Sequence, residues 1–60
     1  MKRKELIRKL REAGFTFVEG GEHTKAYDAN GVYRATIGRH TEIALFIVRQ
    51  IEKQTGVRLR

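Results

Sequence analysis

A chain of 60 residues without a cysteine must fold around a single thin hydrophobic core. A domain of this size buries only about 60% of the surface that its unfolded chain exposes. No disulfide can supplement that core, and the two histidines cannot by themselves complete a zinc site. We therefore expect one domain over residues 1–60, without metal or cofactor, and a partner or self-association that adds stability.

The chain is strongly basic, with 13 lysines and arginines, 7 aspartates and glutamates, and a net charge of +6. Such a surplus of positive charge on a small surface favours the binding of polyanions. Because each neutralised phosphate releases condensed counterions, nucleic acid is the leading class of ligand, and an acidic protein is the alternative. The longest apolar stretch, residues 43–48, is too short for a signal-peptide core or a membrane span. We expect a cytoplasmic protein that does not enter membranes.

The pattern of apolar residues predicts the element order α-β-β-β-α. In the first predicted helix, Lys2–Ala13, the apolar side chains recur at helical spacing, and Gly14 follows as a left-handed stop. Asn30-Gly31 favours a type I′ hairpin turn because both residues tolerate positive φ. The three predicted strands are Phe15–Glu19, Glu22–Asp28 and Val32–Ile37.

The second predicted helix begins after Thr41, whose hydroxyl can cap it with Glu42 in the first turn, and it ends at Gly56. We expect the tail, residues 57–60, to be frayed. Two one-sided helices suffice to cover one face of a three-stranded antiparallel sheet, so the predicted fold is α+β with the other face open. The predicted core face of the helix consists of Ile43, Phe46, Ile47, Gln50, Ile51 and Gln54.

Two residues of this helix depart from its apolar stripe. Leu45 lies opposite the stripe, and Val48 lies at its margin. A single exposed leucine is ordinary. On a chain that is expected to need a partner, however, Leu45 and Val48 are candidate partner contacts.

Strand periodicity places side chains on alternate faces of the sheet. In the second strand it groups His23, Lys25 and Tyr27 on one face. In the third strand it groups Tyr33 with Ala35 and Ile37.

His23 is the leading candidate for a catalytic residue. It directly follows Gly20-Gly21-Glu22, and the two glycines present no side chains to keep a phosphodiester from its ring. An imidazole can donate or accept a proton at neutral pH. RNA carries its own nucleophile, the 2′-OH, so its cleavage needs proton transfer and charge stabilisation but no metal and no protein nucleophile. The alternative is a surface histidine that closes a turn.

The candidate RNA contacts are Gly21, Lys25, Arg39 and His40. Lys25 shares the face of His23 and can stabilise the charge of a pentacoordinate transition state, although a solvated lysine is the simpler interpretation. Arg39 can bind a phosphate bidentately before the second helix. For His40, a phosphate contact and a role in bracing the loop are equally supported.

Three segments, in this order, match one known family. A Lys-Arg-Lys-Glu-Leu-Ile-Arg-Lys-Leu helix leads to Gly14-Phe15, a Gly-x-His element occupies residues 20–25, and an Arg-His segment at residues 39–43 precedes a last helix that runs to Gly56. Over nearly its whole length the chain resembles the HicA toxins of bacterial and archaeal toxin–antitoxin systems.

The resemblance implies a fold like that of double-stranded-RNA-binding domains and an mRNA interferase, an endoribonuclease that cleaves mRNA. It also implies a hetero-oligomer with a HicB antitoxin that covers the active face. The family's catalytic histidine falls on His23, and its second histidine falls on His40 in a supportive role. Gly38 stands where many relatives carry proline, which implies a looser loop. Glu22 replaces the usual Ser or Asn, and its carboxylate either favours protonation of His23 or repels phosphate.

Two other classes of function fit the sequence. One is a non-catalytic double-stranded-RNA-binding module, although such modules usually carry lysines at the start of the last helix, where residues 41–45 are acidic and apolar here. The other is an interaction protein whose basic surface contacts an acidic partner chain.

Overall fold

The chain folds in the predicted order of one helix, three strands and one helix, and the computed structural model describes all of residues 1–60. The α+β prediction is therefore confirmed. Neither helix is long and apolar enough to cross a membrane. The elements are α1 (Arg3–Glu12), β1 (Thr16–Glu19), β2 (His23–Tyr27), β3 (Tyr33–Gly38) and α2 (Leu45–Thr55).

The three strands form one antiparallel sheet in the order β1-β2-β3, with β2 in the centre. Lys25 pairs with Val18 on one side and Thr36 on the other, and all three side chains are exposed on the open face. In β2 and β3 the alternate residues, Thr24, Ala26, Ala35 and Ile37, face the helices and are buried. The core comprises Leu6, Leu10, Phe15, Ala26, Ala35, Ile37, Ile43, Val48, Ile51 and Leu59.

The end of α1 lies where the sequence predicts it. Gly14 has a φ of +94°, which a residue with a side chain rarely adopts. The N–H of Gly14 donates to the carbonyl of Arg11, and the N–H of Phe15 donates to that of Leu10, each at 3.0 Å. These two bonds satisfy carbonyls that the helix leaves free, so the predicted stop at Gly14 is confirmed.

The hairpin between β2 and β3 is confirmed, but its predicted type I′ turn is wrong. Only Gly31 has a positive φ, whereas a type I′ turn needs two such residues. The carboxylate of Asp28 accepts hydrogen bonds from the N–H groups of Asn30 and Val32 and from Arg34. An aspartate that accepts hydrogen bonds from the backbone of the following residues stabilises a wider turn. The Asn30-Gly31 pair alone does not predict that turn.

Tyr33 was predicted on the same face as Ala35 and Ile37, but it lies on the open face of the sheet. Its ring packs edge-on against Tyr27, with the centroids 5.8 Å apart, and its hydroxyl is hydrogen-bonded to Thr36. Both partners belong to the open face. The pairing of β2 with β3 is irregular at Ala26 and Tyr27, and this shift reverses the alternation at the start of β3.

The start of α2 corrects the prediction that Thr41 caps it. Residues 41–43 are extended, because their backbone is hydrogen-bonded to residues 1–3: Arg3 N–H donates to the Thr41 carbonyl at 2.8 Å, and Ile43 N–H donates to that of Met1 at 2.7 Å. The helix begins at Leu45, and Ala44 in the N-cap position makes no side-chain cap bond. Glu42 therefore lies outside the helix and forms an ion pair with Lys2.

This later start also changes which face of α2 is buried. Ile43 reaches the core from the extended segment and does not mark the helical stripe. Val48 was predicted at the margin of the apolar stripe, as a candidate partner contact. It is instead fully buried, so it cannot contact a partner. Phe46, predicted on the core face, is 72% exposed, and Leu45 is 53% exposed, as expected from its position.

The tail is ordered, contrary to the prediction that it frays. Leu59 is fully buried, its N–H donates to the Glu52 carboxylate at 2.8 Å, and its carbonyl accepts from Lys9 at 3.0 Å. The tail therefore packs α2 against α1.

Replacing Leu59 with alanine should lower the free energy of unfolding by about 2–4 kcal/mol, because it removes a buried side chain from a thin core. Urea unfolding followed by circular dichroism measures this change. The control is Leu45→Ala at an exposed position, which should change stability by less than about 0.5 kcal/mol. Equal stabilities of the two variants would contradict the ordered tail.

Candidate active site

His23 is the first residue of β2, and its side chain is exposed on the open face of the sheet. The preceding turn is tight: the N–H of Gly20 donates to the carbonyl of His23 at 2.8 Å. A Cβ at Gly20 would lie only 3.0 Å from that carbonyl, whereas Gly21 has open space around it. The glycines thus allow the chain to turn directly before the histidine and leave its ring accessible.

Gly38 brings the second histidine to the same place. It pairs with His23 across the sheet, so a side chain at position 38 would lie on the same face of the sheet as the His23 ring. The Cδ2 atom of His40 is 3.5 Å from the position that a Cβ of Gly38 would occupy. Both histidines therefore lie next to Gly38, which contributes no side chain to the space around them.

Both histidines line a cleft of about 560 Å³ at the β3 edge of the sheet. One wall is the open face of β3, and the other is the segment before α2 together with one flank of that helix. The lining residues are His23, Tyr33, Thr36, Gly38, His40, Glu42, Ile43, Ala44, Ile47, Gln50, Ile51 and Gln54.

Arg3 holds the two histidine-bearing segments together from the helix side of the sheet. Its Nε donates to the carbonyl of Gly38 at 2.8 Å, and its guanidinium donates to the hydroxyl of Thr24 at 2.5 Å. Thr24, the residue after His23, is fully buried. Because both bonds come from one planar group, the start of β2 and the end of β3 are fixed relative to each other.

The network continues to the turn before His23. The Thr24 hydroxyl donates to Glu19 at 2.7 Å, and Arg39 donates to the same carboxylate at 2.8 Å and to the carbonyl of Gly20 at 2.7 Å. The bond from Thr24 and the nearby Arg39 hold the pKa of Glu19 below its usual value of 4.5. Gly38 implied a looser loop, but two arginines restrain it: Arg3 binds the Gly38 carbonyl, and Arg39, within the loop, binds Glu19 and the Gly20 carbonyl.

Lowering the pH should weaken this network. Because the pKa of Glu19 is lowered in the folded chain, its contribution to stability is complete above about pH 4.5 and is lost as the pH falls through the lowered value. We expect the difference in Tm between the wild type and Glu19→Gln to be largest at neutral pH and to shrink towards pH 3. A difference that stays constant over this range would contradict the assignment.

The structure places the four predicted RNA contacts in four different positions. Only His40 joins His23 in the cleft. Lys25 is exposed on the open face in the middle of β2, and Gly21 is at the tip of the β1–β2 turn. Arg39 lines a shallow basic depression of about 280 Å³ on the α1 side, together with Lys2, Arg3, Lys4 and Thr41.

Several residues of the site were not predicted. Arg3 and Thr24 have no sequence signal for their pairing, because they are 21 positions apart and meet only in the fold. Tyr33 was missed because of the irregular pairing. A signal did exist for Gln50 and Gln54, since two amides four residues apart are unusual on a helix face that is predicted to be buried.

The fold and the cleft define a class of small, basic α+β proteins that expose paired histidines at one edge of a half-covered sheet. The chain belongs to the HicA toxin family of bacterial toxin–antitoxin systems: the family model matches residues 3–57, which include both histidines and every residue of the cleft. No curated protein and no solved structure matches the chain. Membership of this family makes it a toxin that is paired with an antitoxin, and the resemblance stated from the sequence is confirmed.

Proposed function

We propose that this toxin is a metal-independent endoribonuclease that cleaves mRNA in the cytoplasm and uses His23 as its general acid or base. The observation that carries the proposal is the exposed His23 ring in an open cleft that His40 also lines, on a chain with a net charge of +6. An exposed imidazole is accessible to a ribose, and a basic surface attracts the RNA backbone.

The chemistry follows from the nucleophile that RNA already carries. The 2′-oxygen attacks the adjacent phosphorus, the bond from phosphorus to the 5′-oxygen breaks, and the products are a 2′,3′-cyclic phosphate and a 5′-hydroxyl. One proton leaves the 2′-OH and one is added to the 5′-oxygen, and His23 transfers one of them. His40 is the nearest second imidazole and assists in a supporting role.

Two cationic residues outside the cleft lining are assigned to the phosphates of the bound RNA. Lys25 lies on the face of His23, two residues further along β2. Arg39 is held at the β1–β2 turn by Glu19 and Gly20, with 45% of its side chain exposed. We assign Lys25 to the reacting phosphate, and Arg39 and Gly21 to the RNA backbone that leads to it.

The antitoxin that we propose is of the HicB type, and it inhibits by covering the cleft. Leu45 and Phe46 are exposed apolar residues between Ala44 and Ile47, which both line the cleft. A partner that buries these two side chains also blocks access to the histidines. Phe46 thus takes the place of the buried Val48 in the proposed contact surface.

Incubation of labelled RNA with the protein in EDTA tests the proposal against the binding module. We expect RNA fragments that accumulate with time and with protein concentration, and no cleavage after addition of the antitoxin. RNA that stays intact and tightly bound would instead identify a non-catalytic RNA-binding module. Binding to an acidic protein with no affinity for RNA would identify an interaction protein.

A further inference from the structure

We propose that the α2 end of the cleft is a subsite for the nucleobase next to the scissile phosphate, and that Gln50 and Gln54 bind the edge of that base. This inference rests on the proposed ribonuclease function, because it places the base relative to the histidines. It assigns base preference to α2, an element that carries none of the proposed catalytic groups.

The position of the two amides supports this subsite. Gln50 and Gln54 line the same cleft as His23 and His40, so one continuous space joins the histidines to the helix. Residues four apart on a helix are neighbours on its surface, about 5–6 Å between their Cβ atoms. Two adjacent amides can therefore contact one planar ligand.

The walls of the cleft have the chemistry that a base requires. Tyr33 supplies an aromatic ring from β3, and Ala44 and Ile47 supply apolar surface from the opposite wall. The volume of about 560 Å³ lies within the range of about 300–1,000 Å³ that is typical of small-ligand pockets. Unstacked RNA bases are commonly bound by an aromatic side chain together with polar groups at the base edge.

The lack of cationic groups in the lining favours an uncharged base over a phosphate at the α2 end of the cleft. No lysine or arginine lines the cleft, whereas Glu42 does. The Glu42 carboxylate is itself paired with Lys2 and with the N-terminal ammonium group, so it adds no unpaired negative charge to the cleft. A primary amide carries a hydrogen-bond donor and an acceptor side by side, so Gln50 and Gln54 can match the donors and acceptors on the edge of a base.

The test uses RNA oligonucleotides that differ only in the base on either side of one cleavage site. We expect wild-type protein to discriminate between bases at one of these positions, with cleavage rates that differ roughly tenfold between the best and the poorest substrate. Gln50→Ala/Gln54→Ala should remove this preference and cleave every substrate at about the rate of the poorest one. Both side chains are exposed, so circular dichroism should show an unchanged fold. Lys53→Ala is the control, since Lys53 is exposed on the same helix and does not line the cleft.

The outcomes separate this inference from the function on which it rests. If the wild type cleaves every substrate at the same rate, or if the double variant keeps both the rate and the base preference, the subsite is wrong and the ribonuclease stands. If the wild type discriminates between bases and Lys53→Ala loses that preference as much as the double variant does, the subsite is also wrong. A wild type that cleaves no RNA overturns the proposed function, and the subsite with it.

Discussion

Replacing His23 with glutamine is expected to slow RNA cleavage by about 10²–10⁴-fold, the range that a positioned acid or base contributes. Glutamine keeps a similar size and polarity but cannot transfer a proton at neutral pH. Because His23 is exposed at the start of β2, the free energy of unfolding should change by less than about 0.5 kcal/mol. Initial rates on one labelled RNA, together with urea unfolding of both proteins, measure the two effects.

Two neighbouring variants serve as controls. Glu22→Gln changes the exposed residue directly before His23, and it should alter the rate by far less than the change at His23 does. His40→Gln should give an intermediate loss, because His40 supports the reaction without being its principal acid or base. Undiminished cleavage by His23→Gln would show that the proton transfer occurs elsewhere.

Replacing Gly38 with leucine is expected to reduce cleavage by about 100-fold without unfolding the protein. The new side chain would lie on the open face next to both histidines, since Gly38 pairs with His23 and a Cβ there would be 3.5 Å from His40. Displacing a reacting group by about 1 Å can cost about that factor. Gly38 has no positive φ, so its backbone accepts a side chain.

Gly38→Ala is the matched control for this experiment. A single Cβ at 3.5 Å from His40 is in ordinary van der Waals contact, so alanine should keep most of the activity. Cleavage rates of both variants, compared at equal Tm, measure the difference. Equal activity of the leucine and alanine variants would mean that the space between the histidines has no role.

Local patterns were enough to predict much of the fold and the position of His23. Helical spacing and Gly14 gave α1 and its end, because a helix and its cap are determined by residues within one or two turns. Alternation in β2 placed His23 and Lys25 on the exposed face and Thr24 on the buried one. The central strand is paired regularly over most of its length, so the period of two holds there.

The errors occur where distant residues determine the local structure. Residues 41–43 are extended because they pair with the first residues of the chain, and Leu59 is ordered because Lys9 and Glu52 bind its backbone. Neither contact can be predicted from the residues that are adjacent in sequence. The cleft was missed for the same reason, since its two walls come from β3 and α2 and meet only in the folded chain.

Analysis of the product ends tests the central claim most directly, namely that the 2′-OH of the RNA itself is the nucleophile and that no metal takes part. Wild-type protein in EDTA should give 2′,3′-cyclic phosphate and 5′-hydroxyl ends, and a single 2′-deoxy substitution at the cleavage site should abolish the cut there. Products with 3′-hydroxyl and 5′-phosphate ends, or cleavage that tolerates the 2′-deoxy substitution, would contradict the account.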